Sequence, residues 1–241
     1  MIKQIKTYIP GLDEILKGGI REGSSVLLTG PPGTGKTILS LQFIFEGAKR
    51  NEPGVYITSE ETVENIRAYG MSLGMEFEKY EKKGLITIIP QLISSKKLVS
   101  IATPLSIIQS KKVKRVVLDS ITLFDYLHSS GEMDYRKEVL EFVLKMKESG
   151  VTLLATSEKS ISNLDEITYA PEDFLFDGLI ILAKIRKGSS FEHCIMVGKM
   201  RGQDHMIDIF PLKISKNGIE VFPGELPFSL LEQDDMRSNK K

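Results

Sequence analysis

A lysine and a threonine that directly follow a glycine-rich run are equipped to hold phosphate and its metal. In this chain the run is Gly30-Pro31-Pro32-Gly33-Thr34-Gly35-Lys36-Thr37, which fits G-x-x-x-x-G-K-[ST]. The backbone N–H groups of such a loop, and the positive end of the helix behind it, point at one anion. Lys36 is then a point charge on the β/γ-phosphates and the Thr37 hydroxyl a Mg²⁺ ligand. Nucleotide contacts are expected from Pro32, Gly33, Thr34, Gly35, Lys36, Thr37 and Ile38. The second reactive pair is Glu60-Glu61. A carboxylate there can orient or deprotonate an attacking water. The same two residues could instead be first-turn acids that stabilise the next helix through its dipole, and the two roles can coexist. The third is Asp119, at the end of the apolar run Val116-Val117-Leu118. Such an Asp holds Mg²⁺ opposite the loop threonine. Ser120 follows it, not Glu, so the base does not directly follow Asp119, and Glu60 and Glu61 become the candidates.

These residues need strands that end at one edge of a sheet. Ser25–Thr29 reads as a buried strand, and Ile38–Arg50 as a helix with apolar residues at helical spacing. Gly54–Thr58, Gly84–Pro90, Val113–Ser120 and Val151–Glu158 read as further strands. Thr156, Ser157 and Glu158 end the last of these and could sense phosphate or position the water. Helices are expected over about Val63–Leu73, up to about Lys112 and over Asp134–Lys147. Residues 159–172 read as an irregular loop. Then the pattern changes. Asp177–Ile185, Phe191–Lys199 and His205–Ile214 read as strands joined by turns at Gly188-Ser189 and Arg201–Asp204, with a further turn at Lys216-Asn217-Gly218. The fold class is α/β: a mainly parallel sheet flanked by helices, with an antiparallel C-terminal extension. One domain spanning 1–241 is expected, with a lead-in before the first strand and a charged tail from Glu232.

Composition narrows the function classes. The chain has 32 basic and 32 acidic residues among 241, so no global charge draws it to nucleic acid or acidic membranes. The cluster Lys111, Lys112, Lys114 and Arg115 reads as a solvated helix end, and Lys96-Lys97 lies in a variable region. Cys194 is the single cysteine, flanked by Ile195, Met196 and Val197, so it reads as a buried thiol without a disulfide. His128 and His193 have no partner at metal-ligand spacing. No apolar stretch reaches the ~18 residues of a membrane span, and the first residues lack the apolar core of a signal peptide. A cytoplasmic protein is the expectation.

Together, Gly11-Leu12-Asp13 with Gly18-Gly19, the loop Gly30–Thr37, Thr58-Ser59-Glu60-Glu61 and Val117-Leu118-Asp119-Ser120 resemble the RecA superfamily of P-loop NTPases. Lys199-Met200-Arg201-Gly202-Gln203-Asp204-His205 narrows the resemblance to the KaiC-like ATPases, over roughly residues 8–224. The resemblance implies a RecA-like core, ATP/ADP and Mg²⁺ as ligands, and self-assembly into a homo-oligomeric ring, often a hexamer, with ATP between subunits. It implies that Glu60 and Glu61 are the catalytic carboxylates. It implies that Lys199 and Arg201 reach into the neighbouring subunit's site, with His205 beside them at the nucleotide. Read from the residues alone, Lys199 and Arg201 are an exposed basic hairpin, since a charge in a turn is usually just solvated. The output would be a regulatory signal to a protein partner that the sequence does not identify. Pro171–Phe176 carries no hydroxyl where the clock protein has its phosphoacceptors, so a clock-type autophosphorylation cycle is not expected. Two alternatives stay open: an ATP-dependent DNA-binding RecA-like protein, which the neutral charge does not favour, and a nucleotide-bound scaffold with negligible turnover.

Overall fold

The computed structural model describes residues 3–91, 102–121, 124, 132–161 and 169–227. Lys96, Lys97, His128 and the tail from Glu232 lie outside them. The strands are β1 (Gln4–Ile5), β2 (Ile20–Arg21), β3 (Ser25–Gly30), β4 (Gly54–Thr58), β5 (Ile86–Pro90), β6 (Arg115–Asp119), β7 (Thr152–Glu158), β8 (Gly178–Lys187), β9 (Ser190–Met200), β10 (Ile209–Ser215) and β11 (Gly218–Val221). The helices are α1 (Leu12–Ile15), α2 (Lys36–Ala48), α3 (Val63–Ser72), α4 (Phe77–Lys82), α5 (Ala102–Ser110) and α6 (Glu132–Glu148).

Nine strands form one sheet in the order β11-β10-β9-β8-β3-β7-β6-β4-β5. From β8 to β5 neighbouring strands run parallel, and β8 to β11 are antiparallel. Every residue of β3 and β4 is buried, as continuous apolar runs covered on both faces require. One face is covered by α2, through Leu39, Leu41, Phe43 and Ile44, together with α3, α4 and the lead-in residues Ile9, Leu12, Ile15 and Leu16. The other face receives Val139, Phe142, Val143 and Met146 of α6 and Ile108 of α5. Asp13 fixes the lead-in: its carboxylate accepts the Thr7 N–H at 2.7 Å, the Thr7 hydroxyl at 2.8 Å and the Tyr8 N–H at 3.0 Å.

Three details differ from the sequence reading. The connection after Arg201 is longer than a tight hairpin, and β10 starts at Ile209, because Met206 is drawn away to donate its N–H to the Ile15 carbonyl at 2.8 Å. The loop before β8 contains a 3₁₀ turn, Pro171–Phe174. Arg115 is not a solvated helix end: its side chain is fully buried, pairs with Glu52, and donates to the carbonyls of Phe43 at 3.0 Å and Lys6 at 2.7 Å. Cys194 is buried, and desolvation pushes its thiol up to about 12.

Candidate functional site

The buried strand β3 delivers Gly30 to the parallel edge of the sheet, and α2 starts six residues later at Lys36. Gly30 has no room for a side chain: a Cβ there would lie 2.2 Å from the Leu182 carbonyl oxygen. Gly35, at φ +102, is the N-cap of α2 and has no side chain to cap its first turn. Its first N–H groups are therefore available to an anion. Thr34 is buried and donates its hydroxyl to the Pro31 carbonyl at 2.8 Å, which pins the loop. Lys36 Nζ donates to the carbonyls of Gly30 at 2.8 Å and Pro31 at 3.0 Å. Burial lowers the Lys36 pKa, against the opposing pull of Glu158, Asp119 and Glu60.

Asp119 ends β6, between β4 and β7. Three hydroxyls converge on it: Thr37 at 3.1 Å and Tyr56 at 2.6 Å on Oδ2, and Thr156 at 2.5 Å on Oδ1. Burial, reinforced by the charge of Asp119, holds the Tyr56 phenol well above its ordinary range, so it stays a donor. A threonine hydroxyl beside a carboxylate is a hard-oxygen pair. It fits Mg²⁺, which takes one or two protein oxygens and fills its remaining positions with phosphate and water. Among the described residues no group of three or more His, Cys, Asp and Glu could cage a metal by itself. The pair therefore suits a metal that arrives with phosphate.

The two glutamates diverge. Ser120 donates its hydroxyl to Glu60 Oε1 at 2.9 Å, and Glu60 lines a cavity of about 280 Å³ with Gly33, Lys36, Thr37, Asp119 and Glu158. Pro32, Gly35, Ile38 and Thr156 also border that cavity. Glu61 turns to α3, accepting from Asn65 Nδ2 at 2.8 Å and from the Tyr69 hydroxyl at 3.1 Å. It lines an adjoining cavity with Glu60 and Tyr69. Thr62 caps α3, accepting from the Asn65 N–H at 3.2 Å.

Lys199, Arg201 and His205 are not brought to this cavity. The Arg201 N–H donates to the Asp177 carbonyl and the Asp177 N–H to the Ser25 carbonyl, each at 2.9 Å. That chain of bonds places Arg201 at the Ser25 end of β3, about 16 Å along the strand from Gly30 at ~3.3 Å per residue. The Lys199 ammonium donates to the Asp173 carbonyl at 2.8 Å, and Arg201 Nη2 to the Phe174 carbonyl at 3.1 Å. Burial, then the charge of Arg201, lowers the Lys199 pKa. His205 Nδ1 lies 2.9 Å from the Met206 carbonyl, near α1.

Other residues reach the loop without a signal in the sequence. The Nε2 of His193 lies 3.4 Å from the Gly33 carbonyl. Lys184, the cross-strand partner of His193, is packed so close that its Nζ would lie 3.0 Å from a Cβ on Gly33. Ile214 of β10 borders the cavity. Tyr56 and Ser120 complete the Asp119 and Glu60 environments.

The family model described as ATPase: KaiC matches residues 5–225. The circadian clock oscillator protein KaiC of Nostoc is 31% identical over 92% of this chain, and that of Synechococcus elongatus is 30% identical over the same share. The chain spans 44% of the length of each of these relatives. The crystal structure of a KaiC-like protein from the hyperthermophilic archaeon Pyrococcus horikoshii superposes with a TM-score of 0.81 at 35% identity, covering 92% of this chain and all of that one.

Proposed function

As the chain belongs to the KaiC family of ATPases, we propose that it hydrolyses ATP at sites shared between copies of itself. The backbone of Pro32–Thr37 and Lys36 hold the β/γ-phosphates. Thr37 and Asp119 would hold Mg²⁺, which would neutralise charge on the transferring phosphoryl group. Glu60 takes the proton of a water that attacks the γ-phosphorus as the bond to the ADP oxygen breaks. Lys199 and Arg201 of a second copy, with His205 near them, complete the site by stabilising the charge on the γ-oxygens. A nucleotide-dependent signal to a protein partner is the output.

One observation carries this reading: Glu60, Lys36, Thr37 and Asp119 border one cavity, whereas Lys199 and Arg201 sit at the far end of β3. A complete site then needs two chains. The test mixes two variants, Arg201→Ala and the double variant Glu60→Gln/Glu61→Gln, by co-expression. Each alone is expected to be inactive, and the mixture to regain hydrolysis, because an intact cavity meets an intact Arg201. Full activity of Arg201→Ala alone, or a mixture that stays inactive, would overturn the shared site.

A further inference from the structure

Both cations assigned to the neighbour's site end on the same short turn, Pro171–Phe174. Lys199 rests on the carbonyl of Asp173 and Arg201 on that of Phe174. Tyr169 precedes the turn and Phe174 ends it, their ring centroids 6.3 Å apart, with Lys159 Nζ 5.5 Å from the first ring and Lys199 Nζ 5.8 Å from the second. The turn is a seat for the two cations.

The seat is fixed by one buried ion pair. Asp173 Oδ2 accepts from Lys159 Nζ at 2.5 Å and from the Ala170 N–H at 2.8 Å. Their side chains are only 4% and 13% exposed. Lys159 directly follows β7, whose Thr156 and Glu158 border the chain's own phosphate cavity. Its N–H donates to the Gly30 carbonyl at 3.2 Å, where the phosphate loop begins.

The pair also decides where charge goes. A lysine is most useful to a phosphoryl group when no carboxylate has already neutralised it. Among the described residues, Asp173 and Asp177 are the acids that act on Lys199. Asp173 is taken by Lys159, and Asp177 by Lys147 and by the N–H and hydroxyl of Ser25. Lys199 is left on a neutral carbonyl.

We propose that Asp173 and Lys159 are positioning residues: their ion pair sets the seat from which Lys199 and Arg201 serve the next copy and keeps the Asp173 carboxylate on Lys159 rather than on Lys199. This rests on the shared-site reading above.

The experiment mixes Asp173→Asn, and separately Lys159→Met, with two partners. The double variant Glu60→Gln/Glu61→Gln brings an intact seat; Arg201→Ala brings an intact cavity. The mixture of those two partners is the reference. Hydrolysis is expected to return with the double variant, because Asp173→Asn and Lys159→Met retain a working cavity. With Arg201→Ala it is expected to stay about ten- to hundredfold below the reference, the scale of loss for a misplaced group. Lys159→Arg is expected to behave as the unmodified chain. Adding Asp173→Asn to Lys159→Met is expected to recover part of the loss, since it removes the carboxylate that the single change sets free. Recovery with Arg201→Ala to the reference level overturns the proposal. So does failure with both partners, which means general damage. A silent reference mixture defeats the shared site itself, a distinct result.

Discussion

Glu60 and Glu61 are adjacent in the chain but are held by different partners. Ser120 holds Glu60 in the cavity with Lys36 and Asp119, whereas Asn65 and Tyr69 hold Glu61 against α3. A base must reach the water that attacks phosphorus, so position favours Glu60. Glu60→Gln is expected to lower kcat by about 10²–10⁴-fold with nucleotide affinity kept. Glu61→Gln is expected to lower kcat far less, and to cost about 0.5–1 kcal/mol of stability through weakened bonds at the start of α3. Turnover, nucleotide binding and urea unfolding on the two single variants measure this. Equal losses of kcat would remove the distinction.

At the scale of elements, Asp177 joins the start of β3 to α6. Burial works to raise its pKa. The Ser25 N–H and the Lys147 ammonium, at 3.1 and 3.2 Å, outweigh that and hold it below its ordinary value. A carboxyl that titrates lower in the folded than in the unfolded chain stabilises fully above its unfolded pKa, near 4, and loses that contribution as pH falls through the folded value. Stability is therefore expected to fall more steeply below about pH 4 in the unmodified chain than in Asp177→Asn, read from urea unfolding along a pH series. Parallel curves would show that Asp177 gains nothing from its partners.

The elements themselves were largely legible in the sequence. β3, the glycine loop and α2 show as an apolar run, a motif and a helical period in succession. The turns at Gly188-Ser189 and Lys216-Asn217 fall where glycine and asparagine place them. α4 escaped, because Phe77–Lys82 is too short to display a period. So did β1 and β2, two residues each, which exist only as partners of one another. Among candidate site residues, Lys36, Thr37 and Asp119 could be proposed from motif and spacing, and Glu60 only as one of the undivided pair Glu60-Glu61. Tyr56, Ser120 and His193 could not, because their roles depend on which strands lie side by side. Arg115 misled for a related reason: charge predicts exposure until Glu52 and two backbone carbonyls surround the guanidinium.

For the whole molecule, the sheet keeps the loop and the two cations apart. β8 leaves Gly178 at the Ser25 end and reaches Lys184 beside Gly33, so a single strand spans both regions. Its hydrogen-bonded neighbours on both sides stiffen it and hold Arg201 at the end of β3 away from Glu60. Hydrolysis per chain is therefore expected to fall on dilution, in step with the loss of assembled species followed by light scattering. A specific activity that stays constant down to the monomer would mean that one chain is enough.

The division has an arithmetic consequence. If sites are shared as proposed, each chain brings one phosphate cavity and one Lys199–Arg201 pair, so a row of n chains joined head to tail contains n − 1 complete pairings, with an unmatched cavity at one end and an unmatched pair at the other. If the rotation between neighbours closes the row, the last pairing forms without another chain being added. Closure then raises capacity by one site at no cost in protein, and the gain is proportionally largest for the smallest circle.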